Sequence, residues 1–256
     1  MTPVEAATLS KCGRLLMFIV FDDDRPSDSR FVERVWRAHS TRAGTFLSVA
    51  SSHCELVITR LRGEITAVTL RGPETRATDV HCPADGEWFA IRFAAGTFMP
   101  QLPVAQLMDG NDVVLPLISG RSFMLDNNAW EFPSFDNAET FVARLARAGL
   151  IARDPAVAAA LQGETRALSK RSAQRHFVKA TGMTYNAMRQ IERARHATAL
   201  LKQGVSIVDT IHEAGFFDQA HLTRSLRHLI GLTPAKIARD ERQLSFLYKK
   251  ESARCL

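Results

Sequence analysis

The spacing of apolar residues along the chain changes near residue 150. Before that point, short runs alternate apolar and polar residues with a period of two, which is typical of β-strands. After it, apolar residues recur at intervals of three and four, which is typical of amphipathic helices. The pattern predicts an α+β protein, with a β-rich domain over residues 1–150 and an all-α domain over residues 151–256.

Several runs in the first half have the apolar and β-branched composition of strands. Residues 56–62 and 64–70 flank Gly63 and predict a hairpin, because glycine readily takes the positive φ of a tight turn. The other predicted strands are residues 14–21, 31–38 and 88–93, the last with the alternation of a half-buried strand. Short strands separated by turn residues favour a barrel or a sandwich.

The remainder of the first half has weaker signals. Residues 97–119 contain three prolines and little periodicity, so a loop with short helical pieces is expected. Residues 136–139 have the Asp-x-x-Glu spacing of a capping box and predict a helix that ends at Gly149. Residues 152–155 are interpreted as a short linker between the domains.

The segment over residues 167–234 predicts two helix-turn-helix units in tandem. Ser169 is a good N-cap for a helix that continues to about Lys179. In the second unit Ser206 caps one helix, Gly215 permits a sharp turn, and Asp218 caps the helix that follows. Each unit therefore ends in a capped helix with one polar face.

A longer helix, over residues 184–202, is predicted between the two units. Its about 19 residues span about 28 Å at 1.5 Å per residue. That length is close to one turn of DNA, about 34 Å. A rigid connector of this size suits two reading heads placed in successive major grooves.

Side chains suited to DNA share one face of each predicted reading helix. In the first helix Arg171, Gln174 and Arg175 are three and four residues apart. Arginine pairs with guanine O6 and N7, and glutamine pairs with adenine N6 and N7. The residues predicted to bind DNA are Lys170, Arg171, Gln174, Arg175, Gln219, Ala220, Thr223, Arg224 and Arg227.

A set of motif positions gives this region a family resemblance. The set is Ser169, Gln174, Arg175, Phe177, Thr181, Gly182, Arg195, Ala199, Leu200, Leu201, Gly215, Phe216, Asp218, Gln219, Arg224, Gly231, Thr233 and Pro234. With these residues in this order, about residues 154–240 resemble the DNA-binding domain of AraC/XylS transcription regulators. The resemblance implies seven helices, of which the third and sixth read DNA, with base contacts from the positions of Arg171, Gln174, Arg175, Ala220 and Arg224.

The sequence departs from the family pattern at several positions. Ala173 replaces a common leucine in the first reading helix, and Leu222 and Leu226 replace common phenylalanines in the second. Gly163 stands where alanine is usual. Ala220 cannot form a hydrogen bond with a base, although its methyl group can contact thymine. The second unit is therefore expected to read less sequence and to bind more backbone.

The first half resembles the β-rich domain that precedes this DNA-binding domain in one subgroup of the family. The matching positions are Val35 and Trp36, residues 70–75, and residues 91–93 followed by Gly96. The resemblance implies a domain that senses a small molecule or mediates dimerisation, with a cupin-like barrel as a candidate fold.

Charge and cysteine usage agree with two domains of different roles. Residues 1–150 carry 15 Lys and Arg against 18 Asp and Glu, whereas residues 151–256 carry 18 against 9. The net charge of +6 thus comes from the second half, the half expected to meet a polyanion. The four cysteines form no C-x-x-C pair, which indicates a reduced, cytoplasmic protein.

Targeting and membrane signals are weak. The longest strongly apolar run, residues 15–21, is too short to span a bilayer. Asp22, Asp23 and Asp24 follow it instead of a small-residue cleavage site, so a secretory signal is not expected. These three aspartates are interpreted as a solvated loop, with a cation site as the alternative.

The first half also offers candidate chemistry. His53 with Cys54, and His81 with Cys82, could supply four nitrogen and sulfur ligands for zinc or iron, but neighbouring strand residues point to opposite faces. No G-x-S-x-G, P-loop or paired-carboxylate pattern is present. We expect no metal, no cofactor and no enzymatic activity. The aromatic residues Trp36, Trp88, Phe89 and Trp130 are interpreted as core, with an apolar pocket as the alternative.

These observations favour a sequence-specific DNA-binding transcription regulator that reads two adjacent major grooves, with a response to a ligand left open. The alternative is a metal-binding or enzymatic first domain with accessory DNA binding. A third hypothesis is a regulator whose first domain only dimerises. Double-stranded DNA is the expected partner; a small-molecule effector, a contact with RNA polymerase and a homodimer stay open, and no membrane is expected.

Overall fold

The structure is a computed structural model that describes residues 18–161, 170–239 and Leu244. Its strands are β1 (Ile19–Pro26), β2 (Val32–Ser40), β3 (Gly44–Ser48), β4 (Glu55–Leu61), β5 (Glu64–Arg71), β6 (Thr78–Cys82), β7 (Gly86–Phe93), β8 (Thr97–Phe98), β9 (Val113–Leu115), β10 (Leu117–Ser119), β11 (Ser122–Leu125), β12 (Asn128–Glu131) and β13 (Ala152–Arg153). Its helices are α1 (Ala138–Arg147), α2 (Pro155–Leu161), α3 (Lys170–Thr181), α4 (Tyr185–Lys202), α5 (Ile207–Glu213), α6 (Gln219–Leu229) and α7 (Pro234–Arg239). The predicted α+β class is confirmed.

The first domain is built on a six-stranded sheet with the order β1-β2-β7-β4-β5-β9. The predicted hairpin is confirmed as β4 and β5, whose turn places Arg62 at φ 52° and Gly63 at φ 83°. Separate smaller sheets are formed by β10-β11-β12, by β3 with β6, and by β8 with β13. In the residues that the structure describes, the strands do not close into a hydrogen-bonded barrel.

The edge strand β1 corrects one prediction. Asp22, Asp23 and Asp24 lie within β1 rather than in a loop. Each is paired with a basic side chain of β2: Asp22 with His39 at 2.9 Å, Asp23 with Arg37, and Asp24 with Arg34 at 2.8 Å. These cross-strand pairs explain why three consecutive acidic residues tolerate an extended, paired backbone.

Strand β7 also differs from its prediction. It lies between β2 and β4, and its last four residues are buried on both faces instead of alternating. Ile91 faces the core beneath the sheet, and Arg92 faces the opposite side, where it is 8% exposed. The burial of Arg92 requires a partner charge, which Glu55 supplies at 2.7 Å.

A compact apolar core joins the sheet to α1 and the three-stranded sheet. Phe123 and Leu145 are fully buried there, and Phe141 packs against both Phe123 and Trp130. Fully burying side chains of this size stabilises the fold by roughly 1.5–3 kcal/mol each. This core fixes the sheet and leaves its other face to line a cavity.

The local contacts at two predicted boundaries differ from what the sequence pattern indicated. The N-cap of α1 is Asn137, whose side chain accepts from the Ser134 amide and not from the helix, while Glu139 pairs with Arg25 at 2.6 Å. Residues 152–155 are not a free linker, because β13 pairs with β8 and Pro155 already begins α2. Tertiary pairing partners therefore replaced the local interactions that the sequence pattern indicated.

The residues that were expected to form a loop, 97–119, contain more order than predicted. They include β8, β9, β10 and two short 3-10 helices, Val104–Gln106 and Met108–Gly110. Within the described ranges no helix is both long and apolar enough to cross a membrane.

Candidate nucleic-acid interface

Helix α3 has the shape predicted for the first reading helix. Arg171, Gln174 and Arg175 are exposed on one side, and Phe177 is buried at 2% exposure on the other. The ring of Phe177 lies 5.2 Å from that of Tyr185 at the start of α4. Ala173 is only half-buried, so Phe177 carries most of the inward packing.

The structure does not describe every residue that the sequence singled out near the start of α3. Ser169 and Gly163 lie outside the described residues, so the predicted N-cap has no structural counterpart in them. Lys170 begins α3, but its side chain is outside the described set. Gly182 follows the helix with φ 72°, as expected for the turn that ends it.

Helix α6 confirms the predicted caps of the second unit. Asp218 is its N-cap and accepts a hydrogen bond from the His221 amide at 2.6 Å. Leu222, Leu226 and Leu229 fill the core, as predicted from their spacing. The outward side chains are Gln219, Ala220, Arg224 and Arg227, which are exposed, and Thr223, which is half-buried.

The predicted turn of the second unit is also present. Ser206 caps α5 by accepting from the Asp209 amide at 3.1 Å, and Gly215 has φ 68°. Arg193 of α4 was not singled out from the sequence, yet it supports this turn. Its guanidinium lies 4.6 Å from the centre of the Phe216 ring and donates to the Gly215 carbonyl at 3.3 Å.

Helix α4 connects the units much as expected. It begins one residue later than predicted, because Thr184 is its N-cap and accepts from the Ala187 amide at 3.1 Å. Its 18 residues correspond to about 27 Å. The described part of residues 151–239, which leaves out 162–169, holds six helices, α2 to α7. The helices predicted to read DNA correspond to α3 and α6.

The basic side chains of the reading helices are available to a polyanion. Among the described residues, Arg171, Arg175, Arg224 and Arg227 have no intramolecular ion pair. A guanidinium without a carboxylate partner keeps all its donors for phosphate or base edges. The exposed face therefore combines positive charge with hydrogen-bonding groups on two capped helices.

One histidine fixes α3 against the start of the domain. His176 Nδ1 lies 2.7 Å from Asp154 Oδ2, and the other oxygen of Asp154 accepts from the Ala156 amide at 2.8 Å. Burial would raise the pKa of Asp154, but the hydrogen bonds from His176 and the backbone lower it below its usual range. The ionised carboxylate thus ties α3 to the first turn of α2.

The first domain contains a cavity of about 260 Å³ between the six-stranded sheet and the β3–β6 pair. Phe21, Trp36, Phe46 and Trp88 form its apolar part. Of the four aromatic residues weighed from the sequence, Trp36 and Trp88 line this cavity. Phe89 instead lines an open cleft, and Trp130 packs in the core.

The polar part of the cavity consists of paired charges. Arg92 donates to Glu55 at 2.7 Å, and Arg71 donates to Glu74 at 3.2 Å. Ser48 Oγ donates to the second carboxylate oxygen of Glu74 at 2.6 Å. Burial raises the pKa of Glu74, against the opposing effect of Arg71.

A residue of the helical domain reaches the same cavity. Arg195, on α4, is 7% exposed and lines it together with His53 and Arg92. His53 Nε2 lies 2.9 Å from Glu33. Burial alone would raise the pKa of Glu33, but His53, Arg92 and Arg195 lower it to about 2. The positive charge of Arg195 on α4 therefore contributes to lowering the pKa of Glu33 in the first domain.

The candidate metal ligands are not brought together. His53 pairs with Glu33, while burial raises the pKa of Cys54 to about 12 and that of Cys82 to about 11. Metal ligands are thiolates, and burial disfavours the thiolate form of both cysteines when no metal is bound. In the part of the chain that the structure covers, no group of three His, Cys, Asp or Glu side chains is placed to hold a metal.

Comparison with known protein families gives a match that spans both α3 and α6. Residues 164–240 match a family described as a helix-turn-helix domain. No curated protein sequence and no solved structure matches the chain.

Proposed function

We propose that this chain reads a specific DNA duplex in two adjacent major grooves and responds to a ligand. The basis is the match of residues 164–240 to an AraC-type helix-turn-helix domain, which supports a DNA-binding transcription regulator. One observation carries the reading mode. Arg171, Gln174 and Arg175 are exposed on one face of α3 without ion-pair partners in the described residues, and the helix between the two units, α4, has 18 residues, or about 27 Å, against about 34 Å for one turn of DNA.

The two units make different contributions in this proposal. The first unit reads base edges through Arg171, Gln174 and Arg175, with Lys170 at the start of the helix. The second unit places Gln219 and Arg224 near bases and uses Thr223 and Arg227 on phosphates, because the methyl group of Ala220 offers no hydrogen bond. A contact with RNA polymerase and a homodimer stay predictions of the family resemblance.

Selection of binding sites from a random duplex library with the full chain tests the proposal. A defined site with two parts about one helical turn apart is expected, and its symmetry reports whether two copies bind together. Affinity should fall steeply with salt, since lysine and arginine contacts release counterions from DNA. Selection that returns no preferred sequence would contradict sequence-specific reading.

The variant Arg175→Ala tests base contact directly. It should cost about 1–3 kcal/mol and remove discrimination at one base pair of the selected site. Arg147→Ala, an exposed arginine in the last turn of α1, is the matched control and should leave binding unchanged. A loss for Arg175→Ala that is equal on all sequences would assign Arg175 to phosphate instead.

Ligand response is proposed from the cavity of the first domain. Its about 260 Å³ exceeds the roughly 150 Å³ of an engineered apolar cavity that binds benzene. Aromatic walls and buried charge pairs suit a single-ring compound that carries a polar substituent. Because Trp36 and Trp88 line the cavity, such a compound should change tryptophan fluorescence.

A panel of substituted single-ring aromatics, titrated into the Trp130→Phe variant, tests the ligand response. That substitution leaves the two cavity tryptophans as the remaining indoles of the chain. A saturable fluorescence change together with a changed affinity for the selected DNA site is expected. Saturable binding that leaves the affinity for DNA unchanged would contradict the proposal that a ligand in the cavity regulates DNA binding.

A further inference from the structure

The C-terminal end of α6 is bound by the backbone of the first domain. The last carbonyls of a helix lack partners within the helix and must be satisfied elsewhere. The Ala50 amide donates to the Leu229 carbonyl at 2.8 Å, and the Ala77 amide donates to the His228 carbonyl at 3.2 Å. Two of the final carbonyls of the second reading helix are thus satisfied by another domain.

Side-chain packing reinforces these two hydrogen bonds. Leu47 is 8% exposed and belongs to the apolar cluster that contains Leu222, Leu226 and Leu229. A methyl group added to the α-carbon of Gly231 would lie only 3.0 Å from Leu47 and 3.1 Å from Ala77. The residues just after α6 therefore fit closely against the first domain.

The segments that hold α6 also form part of the cavity wall. Along β3, Phe46 and Ser48 face the cavity, whereas Leu47 faces the helical domain. Ser48 precedes Ala50 by two residues, and Glu74 precedes Ala77 by three. Ser48 donates to the Glu74 side chain, and the Glu74 backbone exchanges two hydrogen bonds of 2.8 Å with Ser51.

The first domain contacts α3 in a different way. Val104 and Met108 pack against Gly182, and Lys179 Nζ lies 5.9 Å from the centre of the Phe98 ring. Within the described ranges, no backbone hydrogen bond joins the first domain to α3. Among the described residues, the first unit is thus contacted by side chains of residues 98–108 and not by backbone hydrogen bonds of the first domain.

We propose that residues 47–50 and Ala77 position the second reading helix on DNA, and that Ser48 and Glu74 connect this support to the cavity. The inference rests on the proposed reading of DNA by two units. It assigns positioning roles to residues of the first domain that themselves touch no DNA. It also makes the second half of the binding site the part that a cavity ligand controls.

The experiment compares two truncations of buried aliphatic residues in the full-length protein. Leu47→Ala removes packing beneath α6, and Val104→Ala removes packing beneath α3, where Val104 is 2% exposed. Each variant is titrated against the selected site and against two copies of it, each with one base pair changed in the first or the second half. Thermal unfolding checks that both variants are folded.

The expected result is a crossed pattern. A base change in either half should weaken wild-type binding about tenfold, the size of one ordinary mismatch. In Leu47→Ala the penalty for the second-half change should fall to about twofold, while the first-half penalty is unchanged. Val104→Ala should show the reverse or no change. Leu47→Met, which conserves volume, should restore the wild-type pattern.

Loss of both penalties together in Leu47→Ala, or equal behaviour of the two truncations, would overturn the positioning role. If wild-type protein shows no penalty in either half, the proposed function fails instead, so the two failures are distinguishable. Ser48→Ala then tests the connection to the cavity. This variant should reduce the loss of affinity caused by a base change in the second half of the site and leave that for the first half unaltered. An unchanged loss in the second half would show that Ser48 does not connect the support of α6 to the cavity.

Discussion

The two reading units differ in what they offer to DNA and in how the rest of the molecule holds them. Helix α3 exposes Arg171, Gln174 and Arg175 and touches the first domain through side chains. Helix α6 has Ala220 on its exposed face, and the first domain bonds directly to its last carbonyls. The unit proposed to read fewer bases is thus the one whose helix end accepts backbone hydrogen bonds from the first domain.

This difference gives each unit its own dependence on the remainder of the chain. Reading by α3 should depend on the chemistry of its exposed side chains, since few polar contacts fix it to the first domain. Reading by α6 should depend on position, because backbone hydrogen bonds and close packing at Gly231 set its placement. The substitutions below break or sharpen the contrast.

The largest effect on stability is expected from truncating Phe177, the buried aromatic residue on the inner face of α3. Phe177→Ala should lower the free energy of unfolding by about 3–5 kcal/mol, because it removes a buried ring and leaves a cavity. Denaturant unfolding measures the change, and Val178→Ala, 40% exposed on the same helix, should stay within about 0.5 kcal/mol. A comparable loss in both variants would mean that α3 is not anchored by Phe177.

A gain of function would sharpen the contrast at the second unit. Ala220→Gln adds an amide that can pair with adenine, and it should create a preference of about 1–3 kcal/mol at one base pair of the second half-site. Glutamine is a good helix former, so α6 should persist. Library selection with this variant gives the measurement, and Ala235→Gln on α7 is the control. An unchanged selected site would argue that Ala220 does not face bases.

Removing the cap of α6 should have a smaller effect. Asp218→Ala loses the hydrogen bond from the His221 amide and should cost about 1 kcal/mol of stability. Asparagine caps helices as well as aspartate does, so Asp218→Asn should retain most of it. Unfolding by denaturant compares the two variants with Asp79→Ala, an exposed position on β6. Equal losses for alanine and asparagine would point to the charge instead of the cap.

The smallest effect concerns a pair that lies outside both reading units. The hydrogen bond from Arg25 lowers the pKa of Glu139 to about 2. Because this pKa lies below the unfolded value, the stabilisation is present above about pH 4.5 and is lost as pH falls towards 2. Both side chains are about one-third exposed, so the contribution should stay below about 1 kcal/mol.

Unfolding measured from pH 6 to pH 2 tests this pair. Glu139→Gln should flatten the decline in stability between pH 4.5 and 2 while leaving DNA binding at neutral pH unchanged. A variant with the same acid profile as wild type would show that Arg25 and Glu139 contribute nothing measurable.

Local sequence signals predicted the helical domain well. The caps at Ser206 and Asp218 and the turn at Gly215 each depend on a few neighbouring residues, and the structure has all three. The capping box at Glu139 and the loop at Asp22 failed for a shared reason. In both places a charged side chain found a partner on another strand or helix, which no local pattern contains.

The candidate site was predictable to a similar degree. The exposed faces of α3 and α6 follow from helical periodicity, since inward leucines determine which side chains point outward. The support from Arg193 beneath the Phe216 turn was missed, because a cation–π contact between two helices has no sequence spacing of its own. Arg195 was noticed only as a family position, and its place in the cavity depends on the packing of α4 against the first domain.

The sequence by itself determined that the chain has two helix-turn-helix units, which faces of α3 and α6 are polar, and that positive charge belongs to the second half. Periodicity, capping residues and glycine turns act over a few residues, so they are readable in order along the chain. Only the tertiary structure decided that Ala50 and Ala77 bind the end of α6 and that Ser48 joins this support to the cavity. The contacts of Ala50 and Ala77 join backbone amides to distant carbonyls, groups that every residue except proline carries in full, so the fold alone selects which of them meet. The contact of Ser48 joins a hydroxyl to a carboxylate 26 residues away, a distance at which no local pattern predicts pairing.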